Sequence, residues 1–84
     1  MVLVILTAEA TEQFARLPTP IQGRMRKLFI RLESWPDVSG VKPLSGALTG
    51  CFRLRTGDYR LRFRLMAGSI VIDRMGHRKD VYDD

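Results

Sequence analysis

The side chains of this chain that could do chemistry are arginines, and they come at alternate positions. They lie in the stretch Cys51-Phe52-Arg53-Leu54-Arg55-Thr56-Gly57-Asp58-Tyr59-Arg60-Leu61-Arg62-Phe63-Arg64-Leu65. Period 2 is the period of a strand, whose successive side chains point to opposite faces. Phe52 and Leu54 share one face, and so do Tyr59, Leu61, Phe63 and Leu65. One core must bury both apolar sets, so Arg53, Arg55, Arg60, Arg62 and Arg64 fall together on the other face. Like charges on neighbouring strands repel and weaken the pair. A surface that accepts this cost suits an anionic partner. The planar guanidinium matches phosphate better than an ammonium does.

The whole-chain charge points the same way. Lys and Arg number 14 against 9 Asp and Glu, a net charge of +5, and eleven of the 14 are Arg. An arginine excess favours RNA, DNA or phosphate contact, or an acidic protein partner. A basic surface that is merely solvated is the plainer reading. Cys51 is the only cysteine, so no internal disulfide forms and no metal cluster is expected. No cofactor is indicated. The apolar start Met1-Val2-Leu3-Val4-Ile5-Leu6 is too short to cross a membrane. It also lacks the basic start and small-residue cleavage site of a signal peptide. The expectation is a cytoplasmic protein with no membrane partner.

Several elements must hold the arginines in place. Residues 2–6 are apolar and β-branched, which predicts a buried strand. Thr7 is placed to cap a helix, with Glu9 near its positive end. Ala10, Phe14 and Leu17 follow at helical spacing, and Pro18 interrupts them. Thr19 is expected to cap a second helix with Pro20 in its first turn. Ile21, Met25, Leu28, Leu32 and Trp35 form its apolar stripe. Arg24, Lys27 and Arg31 form a basic stripe beside it. Trp35-Pro36 ends the helix, and a loop runs to about Leu48. The arginine hairpin follows, turning at Gly57-Asp58. Ala67-Gly68-Ser69 is a second turn, and Ile70-Val71-Ile72 opens a strand running to about Met75. The order β-α-α-β-β-β predicts an α+β fold. Two helices would pack on one face of a small, largely antiparallel sheet, and the other face would present the arginines. No repeat or linker interrupts the chain, so residues 1–84 are expected to form one domain.

The second half resembles the RelE branch of the RelE/ParE superfamily of toxins from type II toxin–antitoxin systems. The resemblance rests on Lys42-Pro43-Leu44-Ser45-Gly46, Gly50-Cys51-Phe52-Arg53-Leu54-Arg55, Gly57-Asp58-Tyr59-Arg60-Leu61-Arg62-Phe63 and Gly76-His77-Arg78-Lys79-Asp80-Val81-Tyr82. Together these span about half the chain, in family order. The resemblance implies a small toxin held by a cognate antitoxin. It also implies a metal-independent endoribonuclease that enters the ribosomal A site and cuts mRNA there. In that reaction a ribose 2′-hydroxyl attacks the adjacent phosphate, leaving a 2′,3′-cyclic phosphate and a free 5′-hydroxyl. Its partners would be the mRNA and the small-subunit rRNA.

Residue by residue, the resemblance makes Arg60 the phosphate-stabilising arginine and Arg78 the arginine at the leaving group. Tyr82 resembles the near-terminal tyrosine that orients or stacks on the substrate base. Arg53 and Arg55 stand where some members carry lysines assigned to proton abstraction and transition-state support. Arginine stays charged and makes a poor base, so the base is open. His77 is the only histidine and the one side chain here that ordinarily titrates near neutrality. Arg62, Arg64, His77 and Lys79 are expected to contact RNA. Plainer roles compete: Arg60 pairing with Asp58 or Asp73, His77 as an ordinary polar residue, Tyr82 as a packing residue. Two other functions also compete. One is a non-enzymatic, ParE-like toxin inhibiting DNA gyrase. The other is a simple nucleic-acid-binding module.

Overall fold

The structure is a computed structural model and describes residues 1–81. Strand β1 is Val4–Leu6, helix α1 is Ala8–Arg16 and helix α2 is Thr19–Leu32. Strand β2 is Lys42–Pro43, followed by a short 3₁₀ turn over Gly46–Leu48. Strands β3 (Cys51–Thr56), β4 (Tyr59–Met66) and β5 (Ser69–His77) complete a five-stranded sheet in the order β1-β5-β4-β3-β2. Only the β1–β5 pair is parallel; the other pairs are antiparallel. This is the expected α+β fold, with the added strand β2 in the predicted loop.

The two helices form where local chemistry starts them. The Thr7 side-chain oxygen accepts the Ala10 N–H at 3.1 Å, and Glu9 lies in the first turn of α1. Both features offset the unpaired N–H groups and positive end of a helix start. At α2 the expectation shifts by one residue. Pro18 occupies the capping position and Thr19 is already helical, with no side-chain cap. The Ile21 and Gln22 N–H groups instead donate to the Pro18 carbonyl. The helix also ends at Leu32, three residues before Trp35.

Ala10, Met25, Leu28 and Leu32 from the helices meet Leu54, Leu61, Phe63, Ile70, Ile72 and Met75 from the sheet in one core. The rings of Phe52 and Phe63 stack at 5.4 Å, and Trp35 stands edge-on to both. Both helices therefore cover the same face of the sheet, as the alternation in β3 and β4 requires. The first strand departs from expectation. It is three residues long and sits at the sheet edge. Val2, Val4 and Leu6 pack on the core, while Leu3 and Ile5 are 62% and 42% exposed. A parallel edge strand covered on one face only shows its alternate residues to solvent, so the run is half-buried rather than buried.

Candidate functional site

The register of the β3–β4 hairpin decides where the arginines stand. Arg53 is opposite Arg62, and Arg55 is opposite Arg60. Leu54 and Leu61 face each other as the buried pair between them. The turn is the two residues Gly57 and Asp58, with Gly57 at φ +60°, a left-handed conformation that glycine adopts without a Cβ penalty. The five arginines thus share the face turned away from the helices.

Strand β5 modifies that face by a bulge. Arg62 is opposite Arg74 and Phe63 is opposite Ile72, which leaves Asp73 as the extra residue. Its carboxylate accepts from Arg62 Nε at 2.9 Å and from Arg64 Nη1 at 2.8 Å. The Arg62 and Asp73 side chains are only 16% and 17% exposed. One carboxylate therefore bridges two of the five arginines and offsets part of their repulsion. It does so for Arg62 and Arg64, not for Arg60. Each guanidinium still has donors to spare.

The remaining cations gather around Arg60. Its guanidinium is held below the usual arginine range, first by burial and then by Arg53, Arg55 and Arg78, while Asp58 opposes the shift. Arg78 arrives from the end of β5. Its backbone N–H donates to the Asp58 carbonyl at 2.8 Å, which ties it to the hairpin tip. The chain then folds back, since the Asp80 and Val81 N–H groups both donate to the His77 carbonyl. Val81 is buried against Gly76, which stands opposite Arg60 in the sheet. Arg53, Arg55, Arg60 and Arg78 thus form one cluster although Arg78 is distant in sequence.

His77 stands apart from this cluster. His77 is opposite Tyr59, and their rings meet edge-on at 5.4 Å. Tyr59 has the parity of Leu61 and Phe63, so the imidazole lies on the helix side of the sheet, away from Arg60. Its Nδ1 accepts the Lys79 N–H at 3.2 Å. The Lys79 side chain is exposed. Tyr82 lies outside the described residues. His77 and Tyr59 instead help line a cleft of about 370 Å³ with Gln13, Arg16, Arg74 and Asp80.

Two contacts were not foreseen: the sequence offered Asp73 as a partner of Arg60, whereas the bulge gives it to Arg62 and Arg64, and the tie on Arg78 was not expected. Asp73 had a signal: the apolar positions Ile70, Ile72 and Met75 break the period of two where the bulge lies. The other is the Asp58 carbonyl that holds Arg78, and backbone acceptors carry no residue-type signal. Among the described residues no group of three or more His, Cys, Asp or Glu side chains is placed to hold a metal ion. Among them no helix is long and apolar enough to cross a membrane.

No protein-family sequence profile matches the chain, and no curated protein sequence does. Solved structures do match. A chain of the RelBE2 toxin–antitoxin complex from Mycobacterium tuberculosis is 30% identical with a TM-score of 0.79, the match covering 92% of this chain and 98% of that one. The archaeal RelE–RelB complex from Pyrococcus horikoshii matches at 24% identity and a TM-score of 0.76, covering 95% and 98% of the two chains. The isolated E. coli RelE toxin shares the fold at 12% identity and a TM-score of 0.76, covering 92% and 84%. At the identity and coverage of the mycobacterial match, with the arginine hairpin in place, the chain belongs to the RelE-like branch of the RelE/ParE toxin superfamily.

Proposed function

We propose that this chain is the toxin of a type II toxin–antitoxin system and that it cuts mRNA in the ribosomal A site. The observation that carries the proposal is the shared sheet face of Arg53, Arg55 and Arg60 beside Arg78, which the Asp58 carbonyl ties to the hairpin tip. A ribose 2′-oxygen attacks the adjacent phosphorus, and the 2′ proton leaves to a base or water. The bond to the 5′-oxygen breaks, giving a 2′,3′-cyclic phosphate, and that oxygen gains a proton. Negative charge is greatest on the pentacoordinate phosphorane between these events. Preorganised cations aimed at such charge are commonly the largest contribution to rate. Arg60 and its neighbours would hold the phosphorane, and Arg78 the leaving oxygen. Tyr82 is proposed to orient the base, and Arg62, Arg64 and Lys79 to contact the RNA strand. His77 is proposed to contact RNA at the edge of the site rather than to take the proton. The solved relatives include RelE–RelB and RelBE2 complexes, which supports a cognate antitoxin as the resident partner.

The test is induced expression of the chain with mapping of mRNA ends. New ends inside A-site codons of translated messages are expected. Intact mRNA together with loss of gyrase supercoiling activity would instead favour the ParE-like reading.

A further inference from the structure

The cleft beside His77 has no part in the cluster at Arg60. It opens because β1 pairs with β5 only as far as Ile72, so the outer edge of residues 74–77 faces the end of α1. Its volume of about 370 Å³ lies within the size of small-ligand sites, about 300–1,000 Å³. Two guanidinium groups line it. That of Arg16 is exposed and makes no hydrogen bond or ion pair among the described residues. Arg74 is loosely held. Its Nη2 meets Glu9 Oε1 at 3.5 Å and its Nη1 the Asp80 carbonyl at 3.5 Å, both longer than a well-formed hydrogen bond. Its Nε is buried and meets no acceptor among the described residues. A buried donor left unpaired is costly, so Arg74 is set to take a better acceptor. Tyr59 and His77, edge-on at 5.4 Å, give the cleft an aromatic wall. Asp80 brings the only carboxylate among the described residues that line it.

The backbone groups that an extended peptide would pair with along this edge are already used. The Met75 N–H donates to Gln13 Oε1, and the His77 carbonyl accepts from the Asp80 and Val81 N–H groups. A compact ligand therefore fits better than an added strand. Two arginines suit an anion with several oxygens, which a phosphate supplies. A bare phosphate would gain nothing from the aromatic wall and would be repelled by Asp80. A nucleotide uses all three features. We propose that this cleft binds one nucleotide, with its phosphate on Arg16 and Arg74, its base against Tyr59 and His77, and its ribose hydroxyls donating to Asp80. Stacking on an aromatic ring serves every base, so the site takes a nucleotide without reading which one. A free mononucleotide and one unit of an RNA strand carry the same chemistry. The inference does not rest on the ribosome-dependent reading above.

The experiment is calorimetric titration of the full chain with adenosine 5′-monophosphate, adenosine, inorganic phosphate and a short RNA. No ribosome is present, so failure of the mRNA-cutting function would leave this result standing. The mononucleotide is expected to bind about tenfold more tightly than phosphate, the gain of one stacked base. Arg74→Gln should weaken the mononucleotide about tenfold, as for loss of a charge-assisted hydrogen bond. Arg16→Gln should weaken it less, because that side chain is exposed. Arg74→Lys, which keeps the charge, should recover part of the loss, and thermal melts confirm that each variant is folded. Arg60→Gln, on the other face, should leave mononucleotide affinity unchanged. The short RNA separates the two sources. Loss in Arg74→Gln on both RNA and mononucleotide marks a strand unit, loss on the mononucleotide alone marks a free one, and either result upholds the site. No mononucleotide binding at millimolar concentration overturns the proposal. So does equal affinity for phosphate and mononucleotide, full affinity in a folded Arg74→Gln variant, or an equal loss in Arg60→Gln.

Discussion

Arg60 and Asp73 divide the arginine face between them. Asp73 bridges Arg62 and Arg64, while Arg53, Arg55 and Arg78 stand about Arg60. The first pair of contacts is structural in effect, because it offsets like charges that face one another across β3, β4 and β5. Asp73→Asn keeps the shape and removes the charge. It is expected to lower stability by about 1–3 kcal/mol, the range for hydrogen bonds to charged groups. Part of the loss should return in high salt, where the exposed arginines repel one another less. Urea unfolding at low and high salt checks this, and a variant as stable as wild type at low salt would contradict it. His77 poses the complementary question. Its ring lies against Tyr59 on the helix side, so in the proposed reaction charge stabilisation by guanidinium groups would be the main source of rate. His77→Gln is expected to cleave almost normally, and the wild-type pH–rate profile should show no limb that the substitution removes. Single-turnover cleavage of A-site mRNA across pH, wild type beside His77→Gln, is the check. A large loss of rate in the variant would make His77 the base.

The elements matter here for what they hold in position. Helix α1 begins at the Thr7 cap, and the Thr7 N–H donates to the Ile72 carbonyl of β5. Further along α1, Gln13 Oε1 accepts the Met75 N–H at 2.8 Å, on the stretch of β5 that β1 is too short to pair. Helix α1 and its cap thus hold β5 at Ile72 and at Met75, on either side of Asp73. Thr7→Ala should lower stability by about 1 kcal/mol, a fall in Tm of about 4–8 °C for a domain of this size. A thermal melt indistinguishable from wild type would show that the cap carries no weight. At this scale the sequence was informative where period and punctuation agree. Alternation in β3 and β4, with glycine at the turn, placed the five arginines on one face, and their register follows from the turn. It was less informative where pairing overrides composition. The apolar run at residues 2–6 suggested burial, yet its place at a sheet edge leaves Leu3 and Ile5 in solvent. Lys42–Pro43 has no strand character of its own and becomes β2 because β3 offers it a partner. The partner choice of Asp73 depends on a bulge, and the neighbourhood of Arg78 depends on a backbone carbonyl from another turn. Neither is a local property of the chain.

For the whole molecule, the face away from the helices changes character along its length. Ile5, Val71 and Arg64 align across β1, β5 and β4, and Leu3 and Met66 are exposed near them. Toward the hairpin tip the face is arginine. A silencing antitoxin is therefore expected to lay an acidic, amphipathic segment there, with carboxylates against Arg53, Arg60, Arg62 or Arg78. Its affinity should fall as salt rises, mainly through a slower on-rate. Surface plasmon resonance at two ionic strengths checks this, and equal on-rates would contradict the electrostatic part. The central claim is that this face is built to hold a phosphorane. The most direct measurement is single-turnover cleavage of mRNA in the A site of purified ribosomes, with the new ends identified. Wild type is compared with Arg60→Ala, Arg78→Ala and the double variant. Wild type should leave a 2′,3′-cyclic phosphate and a 5′-hydroxyl. Each single variant should cut about a hundredfold or more slowly, as for loss of other preorganised donors, while ribosome binding falls far less because many cations share it. Full-rate cleavage by a well-folded Arg60→Ala, Arg78→Ala double variant would contradict the claim.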